Sequence, residues 1–500
     1  MELKLAIPDG TLDAVLHRAA IRASTTQPPR QRREFTTYFD TRDRALAQCG
    51  VSLRVRCADG RRVQTLKADR RSDVAADRAE WEWSIDRDRP DPTLLRQTEI
   101  GRNLPAGPEL EQVLATDIER TVRVLELGDG TIVEAALDEG SIIAGDAREP
   151  VRELELELQH GDPAAIYRLA LALHASAPVT LVYESKAARG YRLLTGGIAG
   201  ACKAEHVVVD PETSSAETFG RIVAAGLGHL LANRPAALSG DAEGVHQMRV
   251  AIRRLGAALT FFRPDLETNA TSRFEAELRR MGQVFGEARD WNVFCLQILP
   301  DALASQGAAG WRDFLEQPAA ARREAAHLCV AQEIRAPSFT ALVIGLAAWA
   351  EQGRNAPDML GDDALTRPIE ELCPRLLTRV AHKVKQRGRH IERRSDVERH
   401  ALRKALKKLR YGIDYVATVY PQKSARPYLQ ACKKLQRVLG DINDTVAATA
   451  LADRLAEGSR PDLAPAASAL ATQLAKRRSE ALRRLPKRWH AFRAQPHFWA

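Results

Sequence analysis

The sequence predicts an α+β chain of two units, an N-terminal antiparallel β tunnel followed by an all-α duplicated helical bundle, and three observations carry that prediction. Up to about residue 195 apolar and polar residues alternate, the period of a strand with two unlike faces. From about residue 214 onward the apolar positions fall three and four apart, the spacing of amphipathic helices. Within that helical half, short motifs recur in the same order some 150 residues later, which points to a duplication.

Length agrees with a division. Single cores stop growing near ~250–300 residues, and this chain has 500 residues with 45% hydrophobic content. The expected boundaries are 1–200 for the tunnel unit, 201–215 for a linker and 216–500 for the helical unit, with repeats at about 216–350 and 364–498. The segment Ala204 to Ser215, with Asp210-Pro211-Glu212 and two serines, is the best linker. Charge divides the same way: residues 1–200 hold 28 Lys+Arg and 32 Asp+Glu, so the whole-chain +9 comes from the helical half. An excess of that sign suggests a polyanionic partner.

The strands read in order as Glu2-Leu3-Lys4-Leu5, Val51 to Arg56, Val63 to Lys67, Glu80-Trp81-Glu82-Trp83, Arg120 to Leu125, Thr131 to Leu137 and Glu153 to Leu158. Helical spacing over Thr11 to Ala23 and Pro163 to Ser176 places two helices beside the sheet. The polar face is unusual because it repeats Arg and Glu at i, i+2. On any single strand this fits an ordinary wet face with cross-strand ion pairs. If the sheet closes, the same face lines an interior. A lumen of both signs suits a metal–phosphate complex. Arg54, Arg56, Lys67, Arg120 and Lys186 would take phosphate oxygens. Glu2, Glu80, Glu82, Glu153, Glu155 and Glu157 would take Mg²⁺ or Mn²⁺, hard cations that prefer carboxylate oxygens.

Other classes are excluded early. The longest apolar run, Ala341 to Ala350, falls short of the roughly 20 residues of a membrane span. The opening residues carry Glu2, Lys4 and Asp9 and do not look like a secretory signal, so the expectation is a cytoplasmic protein with no membrane partner. Seven cysteines, none in a CxxC pair, argue against a disulfide framework or structural zinc.

In the helical half, His246-Gln-Met-Arg249-Val-Ala-Ile-Arg253-Arg254-Leu255 recurs as His400-Ala-Leu-Arg403-Lys404-Ala-Leu-Lys407-Lys408-Leu409. Later, Gly286-Glu-Ala-Arg289-Asp290-Trp-Asn292 is echoed by Gly440-Asp441-Ile-Asn443-Asp444. His, Arg at i+3 and Arg or Lys at i+7 share one helix face. Chance would not place one cationic stripe twice, so His246, Arg249, Arg253, Arg254, His400, Arg403, Lys404, Lys407, Lys408 and Arg410 are the candidate anion-binding residues. Asp290, Asn292, Asp441 and Asn443 read better as caps or bundle hydrogen bonds, because carboxylates repel a polyanion.

The repeated His-x-x-Arg stripe and the Asp/Asn segments resemble the CHAD domain over about 214–498, and that resemblance implies binding of inorganic polyphosphate. The N-terminal pieces Glu2-Leu3-Lys4, Tyr38-Phe39-Asp40-Thr41, Leu53-Arg54-Val55-Arg56, Thr65-Leu66-Lys67, Arg78-Ala79-Glu80-Trp81-Glu82, Glu119-Arg120-Thr121, Leu137-Asp138-Glu139-Gly140, Glu153 to Leu158 and Ser185-Lys186 to Tyr191 resemble the CYTH family of triphosphate tunnel metalloenzymes. The pair resembles bacterial inorganic triphosphatases, which implies hydrolysis of tripolyphosphate to diphosphate and phosphate.

On that reading Lys4, Arg54, Arg56, Lys67, Arg120 and Lys186 neutralise the phosphate chain, and Glu2, Asp138, Glu153, Glu155 and Glu157 hold Mg²⁺ or Mn²⁺, with Glu80 and Glu82 as further candidates. The family signature opens Glu-x-Glu-x-Lys. Glu2 and Lys4 fill its later positions and its first Glu is missing, so the expectation is either a start a few codons upstream or reduced activity. The alternatives are an organic triphosphate such as thiamine triphosphate, or a non-catalytic polyphosphate-binding protein. Nucleic acid is disfavoured because the short basic motifs lack an aromatic stacking platform. Polyphosphate binding would place the protein at polyphosphate granules.

Overall fold

The alternating segments become ten strands in the computed structural model, which describes residues 1–7, 23–25, 28–68, 80–102, 109–177, 179–197, 200–304, 309–355, 361, 363–456 and 463–499. They are β1 (Glu2–Ala6), β2 (Ala23–Thr25), β3 (Arg30–Thr41), β4 (Val51–Ala58), β5 (Arg61–Ala68), β6 (Glu80–Ile85), β7 (Leu110–Leu127), β8 (Ile132–Ala144), β9 (Ala147–His160) and β10 (Thr180–Leu181). All neighbours are antiparallel, in the order β10-β1-β9-β8-β7-β3-β4-β5-β6, with β2 beside β7. The expected helix over Thr11 to Ala23 lies outside the described residues except for Ala23, which begins β2.

Five short helices accompany the sheet: α1 (Ala45–Gln48), α2 (Pro92–Leu95), α3 (Glu99–Arg102), α4 (Pro163–Ser176) and α5 (Lys186–Leu194). Helix α4 has the expected bounds, set at its start by Asp162, which accepts from Ala164 N, and by Pro163 in the first turn. The strand faces separate as the two-residue period requires. On β4, Leu53 and Val55 join Phe39, Leu46, Leu66 and Leu95 in one core, with Trp81 and Trp83 packed against it. Arg54 and Arg56 therefore point to the other face. A second core joins Tyr38, Leu114, Ile118, Ile142 and Val151 to Ala187 of α5.

Eleven helices follow: α6 (Ser215–Ala232), α7 (Arg234–Leu238), α8 (Ala242–Phe262), α9 (Thr268–Val293), α10 (Leu299–Ala304), α11 (Ala309–Arg335), α12 (Pro337–Asn355), α13 (Ile369–Arg387), α14 (Asp396–Tyr415), α15 (Gln422–Ala456) and α16 (Leu463–Arg493). A π-helical turn at Phe294–Ile298 links α9 to α10. The repeated stripe lies on α8 and α14, and the Asp/Asn segments lie on α9 and α15. Their start signals are local: Asp241 accepts from Glu243 N and Gly244 N, and Ser395 with Glu398 forms a capping box. Helix α6 packs on α8, α13 on α14, and α8 on α14.

The chain forms two compact units, one of Met1–Gly200 with Ala336–Glu351, the other of Ala201–Arg335 with Gln352–Ala500. The apolar run near residues 341–350, which lies in the helical half of the sequence, thus belongs to the first unit. There Pro337 O lies 2.9 Å from His174 Nε2. The segment before α6 has no helix or strand but is held down: Val209 is buried, its N–H donates to Thr418 Oγ1, and Cys202 N donates to Asn233 Oδ1. No described helix is long and apolar enough to cross a membrane, and all seven cysteines are free thiols.

Gly140 gives a direct test of the β7–β8 register. It pairs with Ile118, and an added Cβ would stand 2.0 Å from Asp117 O. Backbone cannot yield as a side-chain tip can, so Gly140→Ala should lower the melting temperature by several degrees, about 2–4 °C per kcal/mol lost, as read by a thermal melt.

Candidate active site

Eight strands and α5 turn their polar faces onto one cavity of about 390 Å³. Glu2 and Lys4 enter from β1, Glu34, Thr36 and Tyr38 from β3, Ser52, Arg54 and Arg56 from β4, and Lys67 from β5. Glu80 and Glu82 come from β6, Thr116, Ile118 and Arg120 from β7, Asp138 from β8, Glu155 and Glu157 from β9, and Lys186 from α5. Strands from both ends of the hydrogen-bonded order, β1 and β6, line this one space, so the sheet curls round it. All predicted tunnel residues line the cavity except Glu153. That carboxylate is 2% exposed and sits just behind the wall, ion-paired to Arg189 and, at 3.2 Å, to Lys186.

Register explains the grouping. Along β9, Glu157 lies opposite Glu2 and Glu134, Glu155 opposite Lys4 and Ala136, and Glu153 opposite Ala6 and Asp138. Three cations converge on Glu155: Lys4, Lys186 at 2.9 Å and Arg120 at 2.6 Å. Arg120 also donates two bonds of 2.6 Å to Asp138, and Lys186 reaches Asp138 at 2.8 Å. On the facing wall Glu80 takes Lys67 at 2.7 Å and Arg54 at 3.1 Å, while Glu82 takes Arg56 at 3.4 Å.

The protonation of these groups follows from the pairing. Burial alone would raise the Glu155 carboxyl, but Lys186, Lys4 and Arg120 hold it well below its ordinary value. Burial likewise works against Lys4 and Lys186, and Glu155 more than offsets it, so both ammonium groups are raised. Glu157 behaves oppositely. Burial, then Glu2 and Glu134, push its carboxyl up, because this end of the lumen has excess negative charge.

That corner is where a hard cation fits by donor chemistry: Glu2, Glu157 and Glu134 offer only carboxylate oxygens, and a cation would relieve their repulsion. Among the described residues no three His, Cys, Asp or Glu side chains already converge to metal-binding distance. Glu134 is a residue the sequence reading missed, although its two-residue spacing from Ala136 and Asp138 placed it on the same face. Glu34, Thr36 and Tyr38 were missed because β3 alternates Thr, Tyr and Phe rather than charges. Glu34 pairs with Arg32 at 2.6 Å and lies 4.0 Å from Arg120.

In the second unit the predicted stripe divides. His246, Arg249 and Arg253 of α8 and His400, Arg403 and Lys407 of α14 form one cationic cluster with Arg289 and Asp290 of α9 and Asp444 of α15, as their mutual electrostatic effects show. Arg249 lies over Gly286 and Arg403 over Gly440, the same placement in both copies. Burial and Arg289 push His246 down to about 4, and burial with Arg253, Arg403 and Arg249 pushes Lys407 down to about 6.

The remaining members face elsewhere. Arg254 lies over the rings of Tyr411 and Tyr415, Arg410 over Tyr411, and Lys408 donates to Thr260 Oγ1 at 3.0 Å. Lys404 is exposed. Both tyrosines are buried and offer no stacking surface. Asp290, Asn292, Asp441 and Asn443 stand inside helices and cap none. Asn443 bonds His400, Asn292 lies 2.8 Å from His327, and Asp441 takes Arg484 at 3.2 Å.

A curled antiparallel sheet with a charged lumen, in one chain with a duplicated helical unit, defines a two-domain class. The family model of the CYTH domain matches residues 1–191 and that of the CHAD domain matches residues 221–453, so the chain is a CYTH–CHAD protein. It is 31% identical over 160 residues to an inorganic triphosphatase of Haemophilus influenzae, a match covering 31% of this chain and 45% of that protein. The match thus spans less than half of that relative's length. The crystal structure of the CHAD domain from the plant Ricinus communis is 26% identical, with a TM-score of 0.53, and covers 59% of this chain and 98% of its own.

Because Glu155 serves three cations, Glu155→Gln should destabilise the first unit by at least about 2 kcal/mol, the scale of leaving buried charge unpaired. The expected result is a lower first transition in calorimetry. An unchanged profile would mean that the cations are otherwise compensated.

Proposed function

We propose that the first unit is a metal-dependent hydrolase that converts inorganic triphosphate to diphosphate and phosphate, and that the helical unit binds polyphosphate. The observation that carries the first part is the lumen lining: Lys4, Arg54, Arg56, Lys67, Arg120 and Lys186 surround one cavity, with Tyr38 as its aromatic residue and Ile118 and Ala187 as its apolar ones. Six cations match a chain of phosphates. An organic triphosphate would call for an apolar or stacking wall, and Trp81 and Trp83 pack into the core instead.

In this mechanism the substrate takes over the cations from their carboxylate partners. Arg54 and Arg56 on one wall and Arg120, Lys4 and Lys186 on the other bind the phosphate oxygens and stabilise charge as it moves onto the leaving diphosphate. Water attacks the terminal phosphorus as the bridging P–O bond breaks. Glu2 and Glu157 with Glu134 would hold Mg²⁺ or Mn²⁺, which supplies further neutralisation of phosphate charge. A phosphate-release assay with tripolyphosphate and Mg²⁺ tests this. Lys186→Met and Arg54→Ala should each lower kcat/KM by about 10²–10³, the usual cost of one transition-state donor. No turnover by the unaltered protein, with polyphosphate binding intact, would favour a purely binding role; faster turnover of thiamine triphosphate would favour an organic substrate.

The helical cluster supports the second part, since its cations outnumber Asp290 and Asp444 and an external polyanion would balance them. Binding at this unit would also bring the protein to polyphosphate granules. Lys407, at about 6, is mostly neutral at pH 7 and gains a proton when phosphate neutralises the surrounding guanidinium groups. Uptake of a proton makes binding stronger as pH falls. Polyphosphate affinity should therefore drop by up to about tenfold per pH unit between pH 6 and 8. In titration calorimetry Lys407→Arg, charged throughout, should flatten that slope; an unchanged slope would assign the proton elsewhere.

A further inference from the structure

Helix α5 carries Lys186 at its first position and spans nine residues, about 13 Å. Its N-terminus is fixed by Ser185 Oγ, which accepts from Ala188 N at 3.1 Å. It lies across β9, β8 and β7, with Gly190 so close to Leu114 that an added Cβ would stand 2.7 Å from that side chain. On its β9 side it is tied by Arg189 to Glu149 at 2.7 Å and to Pro150 O at 3.0 Å, and by Arg192 to Glu149 at 3.1 Å. Those ties all lie along one strand. They would let the helix pivot about β9, and any pivot swings Lys186 against the lumen.

The opposing tie comes from β3. Tyr191 Oη donates to Asp40 Oδ2 at 2.7 Å, and Asp40 is 0% exposed. The same carboxylate accepts from the backbone N–H groups of Thr41 at 2.7 Å, Leu46 at 2.9 Å and Ala47 at 3.1 Å. A buried carboxylate with four donors is fully satisfied and has a single geometry. Through Leu46 and Ala47 it fixes α1, which leads by Cys49 and Gly50 straight into β4 with Arg54 and Arg56. One carboxylate therefore touches the segment that delivers the cations of one wall and the helix that delivers the cation of the other.

We propose that Asp40 and Tyr191 are positioning residues that set the place of Lys186 relative to Arg54 and Arg56 across the lumen. The functional part of this rests on the triphosphate reading of the site. Neither residue touches the substrate in this arrangement; both act through Lys186.

Tyr191→Phe is the informative variant, because it removes one hydroxyl and leaves the backbone ties of Asp40 in place. The full chain is assayed with tripolyphosphate and Mg²⁺ as a double-mutant cycle with Lys186→Met. A lost hydrogen bond to a buried charge corresponds to roughly tenfold. Tyr191→Phe should thus lower kcat/KM by about tenfold in the otherwise unaltered protein and by less than twofold in the Lys186→Met background. Equal losses in both backgrounds, or no loss, would overturn the proposal.

A second readout does not depend on turnover. The rate at which acetic anhydride acetylates Lys186, followed by peptide mass spectrometry without substrate, should rise several-fold in Tyr191→Phe while that of Lys4 stays constant. A parallel rise at both lysines would indicate general loosening and overturn the proposal. If the unaltered protein does not hydrolyse tripolyphosphate, the triphosphate reading fails, and the labelling still decides the positioning role.

Discussion

The charges of the lumen are arranged around Glu155. An ammonium or guanidinium group taken out of water needs a partner, and in the first unit Lys4, Arg120 and Lys186 find it in one carboxylate supplied by the central strand of three. Everything else about the site follows from keeping that sharing possible. Strands β1, β9 and β8 must hold their register so that Lys4 and Asp138 flank β9 at the right levels, and α5 must bring Lys186 in from the third direction. A slip of one residue would turn each of these side chains into the outer core.

The helical unit solves the same problem differently. Its cluster gathers Arg249, Arg253, Arg403 and Lys407 with two carboxylates near them, so the imbalance is met by withholding a proton from Lys407 rather than by pairing. A site balanced inside the fold has to exchange partners when an anion enters. A site left unbalanced draws the anion and a proton together. The two units thus reach anion binding from opposite electrostatic starting points.

Much of this was legible in the residues. Leu53-Arg54-Val55-Arg56 and Glu153 to Leu158 specify both the strand period and the charged face, and the register places Arg54, Arg56, Glu155 and Glu157 on one cavity. The stripe on α8 and α14 was legible as a repeat, but its division was not. A spacing of one residue separates Lys407 from Lys408 and Arg253 from Arg254 by about 100° of helix, so only the packing of α8 against α14 decides which of each pair faces the cluster. Glu134 and the lumen residues of β3 were hidden for a related reason: nothing in Arg30 to Thr41 alternates in charge. The displacement of Glu153 behind the wall depends on Arg189, whose reach from α5 no local pattern reports.

The membership of residues 336–351 in the first unit has a consequence for synthesis. A domain encoded as one continuous segment can close as soon as its last residue leaves the ribosome. This one has to wait for a helix encoded about 140 residues further on, which at 5–20 residues per second amounts to roughly 7–30 s. During that interval the segments of the helical unit up to Arg335 are already emerging. The β unit is therefore completed only while its neighbour is being made, which ties the folding of the two in time.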